Sequence, residues 1–454
     1  MTAAKPKLIR QIACDILARS EKYQSFVNIL LDDRFKRYRH LTGHERALIT
    51  EMVYGVLRNQ RIIDVIIAHF SKVRPERMER RTLLALRLGV YQTIFMQKIP
   101  DALAVNESVN LVREPSRPLV NAILRTICRA KKEIDKIIDE SICDCTPIHK
   151  LAVRYSHPDW LVEKWINRFG LEFTQRWLQT NNTPAPLFVR VNSLKTSSEE
   201  LADKLRADGL TATPCTFLPN CLAIDGASSL GEPKWIKQGL GVIQDIASQF
   251  VSYFVDPKPG EIILDACAAP GTKTTHIAEL AKNRTRIVAA DISGAKLKLL
   301  FDSATRLGLK SIETTQADWT SKVPFEANYF DKVLADAPCA NLGLVRRHPE
   351  LRWRRAQDDV KAMAELQLKI LNAVANFPKR GGFLIYSVCS ISEEENDGVI
   401  ADFLKTNPNY KVADPPDIVK TFFQYAIGED RAVRTFPHLH NSDGFFIIRM
   451  RRAT

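Results

Sequence analysis

Apolar residues recur every three to four positions along the front of the chain. Over residues 8–17 and again over residues 119–127 they mark one face of a helix, and this period is typical of amphipathic helices packed on a core. The long segment 44–70 and the leucine-rich residues 83–91 continue the pattern. We therefore predict an all-α domain over residues 1–145.

The pattern changes in residues 146–255. A polar, charged stretch at 131–150 separates this part from the front domain. Further on, the run P-L-F-V-R-V-N-S-L-K has the composition of a strand and is followed by helical spacing over residues 197–208. These features predict linker helices and then a small α/β subdomain.

From residue 256 to residue 454, short apolar runs alternate with helical patterns. The predicted strands are Ile262–Leu264, Ile287–Ala290, Val333–Ala335 and Phe383–Tyr386. The helices predicted between them are Lys273–Leu280, Gly294–Leu307 and Met363–Phe377. This alternation favours a Rossmann-like, doubly wound parallel sheet. The fold class that we predict is thus an all-α front domain followed by an α/β domain, with the small α/β subdomain in front of the latter.

The composition is ordinary for a soluble globular protein, with 45% of the 454 residues hydrophobic and 26% charged. The first ten residues lack the apolar core of a signal peptide, and no apolar run approaches the length that spans a bilayer. We expect a soluble, cytoplasmic protein with no membrane partner. The nine cysteines are scattered and form no C-x-x-C pair, so we expect neither a disulfide framework nor a bound metal.

The positive charge is concentrated at the front. The net charge is +13, and residues 1–150 hold 27 Lys and Arg against 17 Asp and Glu, a net of +10. A basic domain joined to a nearly neutral one suggests a polyanionic partner, most simply a nucleic acid. A generally basic surface without such a partner is the alternative.

A ligand site is predicted where the strands of the rear domain end. The first strand runs into D-A-C-A-A-P-G-T-K, residues 265–273, a turn of small residues before a helix. Small residues let the backbone approach a ligand closely. The turn matches neither the G-x-G-x-x-G fingerprint nor a phosphate loop, which argues against a nicotinamide oxidoreductase.

Acidic residues follow the strands at this edge: Asp265, Asp291, Asp318 and Asp336. Ligands of open α/β sheets bind beyond the carboxyl ends of the strands, and an acid after the second strand commonly binds ribose hydroxyls. Asp318 is a candidate acceptor for an adenine amino group. S-adenosylmethionine, which has a ribose, an adenine and a positive centre, fits this set. The alternative for any single acid is a solvated carboxylate in a turn.

A second chemical feature lies in G-G-F-L-I-Y-S-V-C-S-I-S-E-E-E-N, residues 381–396. A short buried strand is predicted to end at Cys389, and an acidic run follows it. A thiol at the edge where ligands bind is placed for chemistry. The alternative is that Cys389 is one more small buried hydrophobic residue, which is where free cysteines usually lie.

Several motifs resemble those of the RNA cytosine-5 methyltransferases. Residues 265–273 resemble the cofactor motif of that family, D-A-P-C at 336–339 resembles its proline-cysteine motif, and S-V-C-S at 387–390 resembles its second cysteine motif. R-R-H-P-E-L-R-W at 346–353 and D-G-F-F at 443–446 also resemble segments of that family. In the front domain, E-R-A-L-I-T-E-M-V-Y-G-V-L-R and P-L-V-N-A-I-L-R resemble the NusB-type RNA-binding domain, which narrows the resemblance to the bacterial 16S ribosomal RNA enzymes of the RsmB or Sun type.

The resemblance implies S-adenosylmethionine as the cofactor and 16S ribosomal RNA as the substrate and partner; we expect a monomer. The residues that we assign to the cofactor, from the resemblance and from the positions of the strand-end acids, are Cys267, Ala268, Ala269, Pro270, Gly271, Thr272, Lys273, Asp291, Asp318 and Asp336. Cys389 is then the nucleophile that adds to carbon 6 of cytosine, Cys339 assists its release, and Asp336 holds a proton at N3 of the ring. Covalent addition divides one hard step into two easier ones.

The chain departs from the family pattern at Thr272, Val388 and Asn341, where a second glycine, a threonine and a serine- and glycine-rich segment are usual. None of these changes removes a group that the chemistry requires. Three alternatives stay open: action on transfer RNA, a non-catalytic ribosome assembly factor, and the DNA-type arrangement in which Cys339 attacks. The second cysteine motif has no place in the DNA-type scheme, and the pair of cysteines argues against a non-catalytic factor.

Overall fold

The computed structural model describes residues 6–216, 218–225, 233–321 and 325–454. The helices up to residue 184 are α1 (Pro6–Tyr23), α2 (Val27–Arg37), α3 (Gly43–Arg58), α4 (Gln60–Phe70), α5 (Arg80–Val90), α6 (Asp101–Val109), α7 (Ser116–Arg129), α8 (Ile134–Ser141), α9 (Pro147–Arg154), α10 (Asp159–Phe169) and α11 (Leu171–Asn181). The later helices are α12 (Ser198–Ala207), α13 (Lys234–Lys237), α14 (Ile246–Val255), α15 (Thr272–Leu280), α16 (Gly294–Leu307), α17 (Leu351–Arg354), α18 (Gln357–Val374), α19 (Val399–Thr406), α20 (Asp417–Phe423) and α21 (Pro437–His440). The strands are β1 (Leu187–Val191), β2 (Thr211–Pro214), β3 (Cys221–Asp225), β4 (Gly241–Ile243), β5 (Ile262–Asp265), β6 (Arg286–Asp291), β7 (Ile312–Gln316), β8 (Phe330–Asp336), β9 (Pro378–Val388), β10 (Tyr410–Val412), β11 (Val433–Arg434) and β12 (Phe446–Arg452).

The chain divides into two compact units. The first takes in the chain up to Pro184 together with Val345–Arg354, and the second takes in the rest of the described chain from Ala185 onward. Across the described ranges, no helix is long and apolar enough to cross a membrane.

The first unit is helical, as predicted. Its core consists of leucine, isoleucine and valine side chains that recur at helical spacing. Helix α3 begins at a capping box in which Thr42 and Glu45 each accept a hydrogen bond from the other's backbone N–H. The helical pattern over residues 44–70 is divided between two helices, because Asn59 ends α3 and its side-chain amide donates to the Gly55 carbonyl oxygen at 2.9 Å.

A segment from far along the chain, Val345–Arg354, belongs to this helical unit. Arg352 is fully buried there, and its guanidinium donates to the Ser156 carbonyl oxygen at 3.0 Å and to Asn182 Oδ1 at 2.8 Å. Burial, with the neighbouring positive charge of Arg58, lowers the pKa of Arg352 to about 9. The indole of Trp353 donates to a carbonyl oxygen of α3 at 2.9 Å. The motif R-R-H-P-E-L-R-W therefore completes the packing of the helical unit.

The second unit begins with the predicted small α/β subdomain. Its sheet is antiparallel, with the strand order β2-β3-β1-β4. Helix α12 begins at a capping box between Ser197 and Glu200, which confirms the helix predicted over residues 197–208.

The main sheet of the second unit has the strand order β10-β12-β9-β8-β5-β6-β7, and β11 pairs with β12. Neighbouring strands from β9 to β7 are parallel, whereas β12 runs antiparallel to β9 and to β10. All four predicted strands lie in this sheet, and the predicted helices are α15, α16 and α18. The doubly wound fold is thus confirmed, although α18 begins six residues earlier than predicted, where Asp359 accepts from the Ala356 N–H at 2.8 Å.

The order of the parallel strands brings the chemically interesting loops to one edge. Strand β8 lies between β5 and β9, and all three run in the same direction. The loops that leave their carboxyl ends therefore meet: the small-residue turn after β5, the D-A-P-C loop after β8, and the S-V-C-S loop after β9.

Candidate active site

The turn after β5 depends on Gly271. Its φ is +104°, a backbone conformation that residues with a Cβ rarely adopt. A Cβ at this position would also lie 2.5 Å from Leu300 Cγ on α16. Thr272, by contrast, is the first residue of α15 and is not among the positive-φ residues of the described chain, so the departure from a second glycine at this position does not strain the turn.

Asp265 does not line the open edge, so its prediction as one of four crevice acids is wrong. The residue is 1% exposed, and Thr274 Oγ1 donates to its carboxylate at 2.7 Å. Burial raises the pKa of Asp265 to about 7, although the bond from Thr274 opposes this shift. Through this bond with Thr274, the Asp265 side chain connects the end of β5 to the start of α15.

Asp291, at the end of β6, faces the same turn. Its Oδ2 accepts from the Ala269 N–H at 3.1 Å and its Oδ1 from the Ser293 N–H at 2.9 Å, so the carboxylate is fixed while lone pairs stay available. The next residue, Ile292, is 64% exposed. A fixed carboxylate beside an exposed apolar side chain suits the ribose and the base of an adenosine. Ile292 was not predicted; an apolar residue directly after a strand-end acid is the signal that would have found it.

The other predicted cofactor residues lie at the same edge. The Ala268 N–H donates to the Ala290 carbonyl oxygen at 2.9 Å, which ties the turn to β6, and burial raises the pKa of the Cys267 thiol well above its usual value. Asp318 follows β7, where its Oδ1 accepts from the hydroxyl and the N–H of Thr320 at 2.7 and 2.9 Å. The side-chain bond from Thr320, with the backbone bond, lowers the pKa of Asp318.

Arg190 of β1 supports the turn from inside the unit. The side chain is 1% exposed, and its guanidinium donates to the Thr272 carbonyl oxygen and to Gln244 Oε1, each at 2.6 Å. It also donates to Thr275 Oγ1 at 3.1 Å and to Glu279 Oε1 at 2.9 Å. The small subdomain therefore holds the start of α15, a role that local sequence patterns do not reveal.

Lys273 and Asp336 form the charged centre of the site. Lys273 Nζ lies 2.6 Å from Asp336 Oδ2, and Ser387 Oγ donates to Asp336 Oδ1 at 2.6 Å. Burial acts to lower the pKa of Lys273, but Asp336 more than offsets it, and the pKa stands above its ordinary value. The ammonium also lies 5.3 Å from the centre of the Phe445 ring, in the D-G-F-F motif. Two predicted residues, Lys273 and Asp336, thus meet directly.

The two cysteines of the motifs are adjacent. Cys339 Sγ and Cys389 Sγ lie 3.1 Å apart, and Asn341 Oδ1 lies 2.9 Å from the Cys389 sulfur and 3.5 Å from the Cys339 sulfur. Asn341 has a φ of +61°, which asparagine tolerates better than most residues. Asn341 is one of the positions where the sequence departs from the family pattern, and its side-chain oxygen lies within 3.5 Å of both sulfurs.

Cys339 and Cys389 have different surroundings. Cys339 is buried, whereas Cys389 is partly exposed. The hydrogen bond with Cys389, followed by burial, raises the pKa of the Cys339 thiol well above its usual value. Cys339 is therefore a neutral thiol beside a more accessible one.

Backbone bonds join the cysteine loops to the D-G-F-F motif. The Gly343 N–H donates to the Cys389 carbonyl oxygen at 3.1 Å, and the Gly444 N–H donates to the Gly343 carbonyl oxygen at 2.8 Å. A Cβ on Gly343 would lie 1.9 Å from the Gly444 carbonyl oxygen, so this close approach requires glycine. Within the described ranges, no group of three or more His, Cys, Asp or Glu side chains is placed to hold a metal ion.

Three family models match the chain in order. The NusB family matches residues 7–129, the ferredoxin-like domain of RsmF/B-like methyltransferases matches residues 157–230, and 16S rRNA methyltransferase RsmB/F matches residues 252–451. Probable ribosomal RNA small subunit methyltransferase B of Bacillus subtilis is 34% identical to this chain and aligns with 99% of each chain. This chain belongs to the RsmB/F family of 16S ribosomal RNA methyltransferases.

Two further comparisons agree with this assignment. The protein of the same name from Synechocystis is 33% identical over 98% of this chain and 99% of its own. The crystal structure of PH0851 covers 99% of this chain and 100% of that chain, with a TM-score of 0.82 and 29% identity. The NusB-like front domain and the methyltransferase fold that the sequence predicted are thereby confirmed.

S-adenosylmethionine is the cofactor of this methyltransferase family, and the edge of the sheet fits it. The turn around Gly271 consists of small residues, the Asp291 carboxylate is held by the Ala269 N–H, and Ile292 is exposed beside it; these groups would suit the methionine part, the ribose and the adenine of the cofactor. The assignment of each predicted residue to the cofactor stays a proposal.

Proposed function

We propose that this RsmB/F protein methylates carbon 5 of a cytosine in 16S ribosomal RNA through a covalent bond between Cys389 and the base. The observation that carries the proposal is the pair of thiols, 3.1 Å apart, at the ends of two adjacent parallel strands. The names of the relatives, ribosomal RNA small subunit methyltransferases, support 16S ribosomal RNA as the substrate. The net charge of +10 in residues 1–150 supports RNA binding by the front domain.

In the first step the Cys389 sulfur adds to carbon 6 of the cytosine. An S–C6 bond forms, the C5=C6 electron pair becomes available at carbon 5, and the proton given up by the thiol is balanced by a proton gained at N3. Asp336, held by Lys273 and Ser387, is the candidate that places a proton at N3 and so limits negative charge on the ring. A base paired in a duplex is inaccessible, so the target is unpaired or flipped out.

S-adenosylmethionine, when bound, supplies an electrophilic methyl group. The residues that would hold it are the turn Cys267–Gly271, with Asp291, Ile292 and Asp318. They lie at the sheet edge shared with the cysteine loops, which is where carbon 5 must be presented.

Release requires loss of the hydrogen from carbon 5. The electron pair of that C–H bond re-forms C5=C6, the S–C6 bond breaks to free the Cys389 sulfur, and the proton held at N3 returns to Asp336. Cys339 is the candidate base, because its sulfur lies 3.1 Å from the nucleophile. The first cause of its raised pKa is the hydrogen bond with Cys389. Once the Cys389 sulfur is attached to carbon 6 it carries neither a thiol hydrogen nor a negative charge, so this cause weakens and the Cys339 thiol becomes easier to ionise at the step that needs a base.

A denaturing gel with serine variants tests these roles. Cys389→Ser should neither methylate nor form a protein–RNA adduct, because a hydroxyl is far less ionised than a thiol at neutral pH. Cys339→Ser should methylate once and then accumulate as a covalent adduct that requires S-adenosylmethionine. Cys128→Ser, a partly buried cysteine of the helical unit, is the matched control and should behave as the unmodified protein.

The alternative functions predict different results on the same gel. The DNA-type arrangement predicts an adduct in Cys389→Ser and none in Cys339→Ser, and this pattern would refute the proposed roles. A non-catalytic assembly factor predicts no adduct in any variant. Mapping of 5-methylcytosine in 16S ribosomal RNA and in transfer RNA, from cells with and without the protein, separates the two RNA substrates.

A further inference from the structure

One buried carboxylate, that of Glu395, accepts hydrogen bonds from four donors. The residue is 0% exposed and lies in the π-helical turn Glu394–Gly398. Its Oε1 accepts from the Ala340 N–H at 2.7 Å and from Gln367 Nε2 at 3.0 Å, and its Oε2 accepts from Ser392 Oγ at 2.7 Å and from Ser390 Oγ. An ionised carboxylate is an acceptor only, with about four lone-pair sites. These four donors therefore match its acceptor capacity.

The donors include both cysteine loops. Ala340 directly follows Cys339 in the D-A-P-C loop, and Ser390 directly follows Cys389 in the S-V-C-S loop. The two cysteines are 50 residues apart in the chain, yet one side chain binds both loops next to them. The bonds of Glu395 thus fix the backbone on either side of the thiol pair.

A second layer holds the glutamate itself. Gln367 of α18 donates to the Pro338 carbonyl oxygen at 2.9 Å as well as to Glu395. The Tyr386 hydroxyl lies 2.9 Å from Gln367 Oε1 and 2.7 Å from the Glu395 carbonyl oxygen. The side chains of Glu395, Gln367 and Tyr386 are all buried, so neighbouring groups restrict how far the carboxylate can move.

We infer that Glu395 is a positioning residue that sets the distance between the Cys339 and Cys389 thiols. The inference rests on the proposed function, in which both sulfurs act on one cytosine and one must remove a hydrogen while the other departs. A misplacement of about 1 Å can cost on the order of 10²-fold in rate. The Glu395 carboxylate accepts its four hydrogen bonds from the two cysteine loops, from α18 and from Ser392. None of these bonds involves the turn Cys267–Gly271, which we call the cofactor turn. The effect of Glu395 should therefore fall on the chemistry and leave cofactor affinity in place.

The proximity of the two thiols can be tested by an assay that does not depend on methylation. Phenylarsine oxide reacts with two adjacent thiols, forming two As–S bonds and releasing its oxygen as water with the two thiol protons. The reaction is followed by mass spectrometry of the intact full-length chain. The chain carries Cys143→Ser and Cys215→Ser in every sample, because Cys143 lies close to Cys145 in sequence and the Cys215 N–H donates to the Cys221 carbonyl oxygen at 2.8 Å.

We expect capture of the arsenical to require both Cys339 and Cys389, and to weaken at least tenfold in Glu395→Ala. Glu395→Gln should recover most of the capture, since its oxygen still accepts from Ala340 and its amide can donate to serine hydroxyls, which act as donors or acceptors. The rate of methylation should follow the same order, with a loss on the order of 10²-fold in Glu395→Ala. S-adenosylmethionine affinity, measured by calorimetry, should stay within twofold. Glu393→Ala, an exposed position of the same acidic run, is the control and should change none of these.

Two results would overturn the inference. One is arsenical capture in Glu395→Ala that stays within twofold of the unmodified chain. The other is a loss of arsenical capture and of cofactor affinity together in both variants, which would mark Glu395 as a residue needed for folding alone. Capture that depends on Glu395, together with no adduct in Cys339→Ser, would retain the positioning role and reject the proposed covalent mechanism.

Discussion

Replacing Arg190 by methionine tests whether the small subdomain stabilises the cofactor turn. The Arg190 and Glu279 side chains are 1% and 3% exposed, and their ion pair is 2.9 Å long. Removing one partner of a buried pair destabilises a protein by roughly 3–5 kcal/mol, because the other charge stays buried without compensation. We expect the free energy of local opening of α15 to fall by about this amount. At about 1.4 kcal/mol per factor of ten, amide exchange in α15 should accelerate by roughly two to three and a half orders of magnitude.

Hydrogen exchange followed by mass spectrometry measures this change in peptides covering Thr272–Leu280. The matched control is Arg286→Met, since Arg286 and Glu313 also form a 2.9 Å pair but are 48% and 55% exposed. Pairs in water contribute little, so exchange near β6 should stay close to that of the unmodified protein. A double variant, Arg190→Met with Glu279→Leu, should regain much of the protection because no buried charge remains.

The pH dependence gives an independent check. Burial raises the pKa of Glu279, and Arg190 opposes that shift. Without Arg190 the folded-state pKa of Glu279 rises further above its unfolded value, so the variant is least affected at low pH and loses stability as pH rises. The exchange ratio between variant and unmodified protein should therefore be larger at pH 8 than at pH 5.5. Acceleration of less than tenfold in Arg190→Met, or equal changes in Arg190→Met and Arg286→Met, would refute the reasoning.

Substitutions of Asp291, of the buried Asp265 and of two exposed arginines in the helical unit give three further tests. Asp291→Ala should weaken S-adenosylmethionine binding by about 1–3 kcal/mol, the cost of leaving its partners unpaired; unchanged affinity by calorimetry would remove Asp291 from the site. Asp265 has a folded-state pKa of about 7, above its unfolded value, so its contribution is complete below about pH 4 and is lost as pH rises through about 7. Asp265→Asn should therefore reduce the fall in melting temperature between pH 5 and pH 8, and an unchanged fall would contradict the assignment. Replacing Arg125 and Arg129, both exposed on α7, by alanine should lower the slope of log affinity for 16S ribosomal RNA against log salt by about 0.7 for each phosphate that is no longer neutralised; filter binding that shows the original slope would exclude this surface.

The inner parallel strands β5, β6, β8 and β9 were predictable because both of their faces are largely buried. Leu264, Val333 and Leu384 are each 0% exposed, and such strands are continuous apolar runs. Strand β7, I-E-T-T-Q, was not predicted, since it lies at the edge of the sheet and its side chains are largely exposed. Strand β12 was missed for another reason: it returns antiparallel beside β9, outside the regular alternation of strand and helix.

The side chains of the candidate site could be predicted from the sequence, but the long-range hydrogen bonds that hold them in place could not. The cysteines, Asp336 and Lys273 stand in short motifs that can be read locally. Arg190, by contrast, acts on a turn 82 residues away, and Glu395 binds Ala340 across 55 residues. Such bonds depend on the strand order, which local patterns do not specify.

The segment Val345–Arg354 has a consequence for synthesis of the chain. Arg352 donates to the Ser156 carbonyl oxygen of the helical unit and Trp353 donates to the Leu57 carbonyl oxygen of α3, yet 170 residues separate Pro184 from Arg354. At about 5–20 residues per second, a ribosome takes roughly 10–30 s to cover that distance. During this interval the Ser156 and Leu57 carbonyl groups lack the donors that Arg352 and Trp353 supply. The strands up to β8 are synthesised in the meantime. The helical unit is thus completed only after most of the parallel strands have been made, by the stretch of chain that follows the D-A-P-C loop.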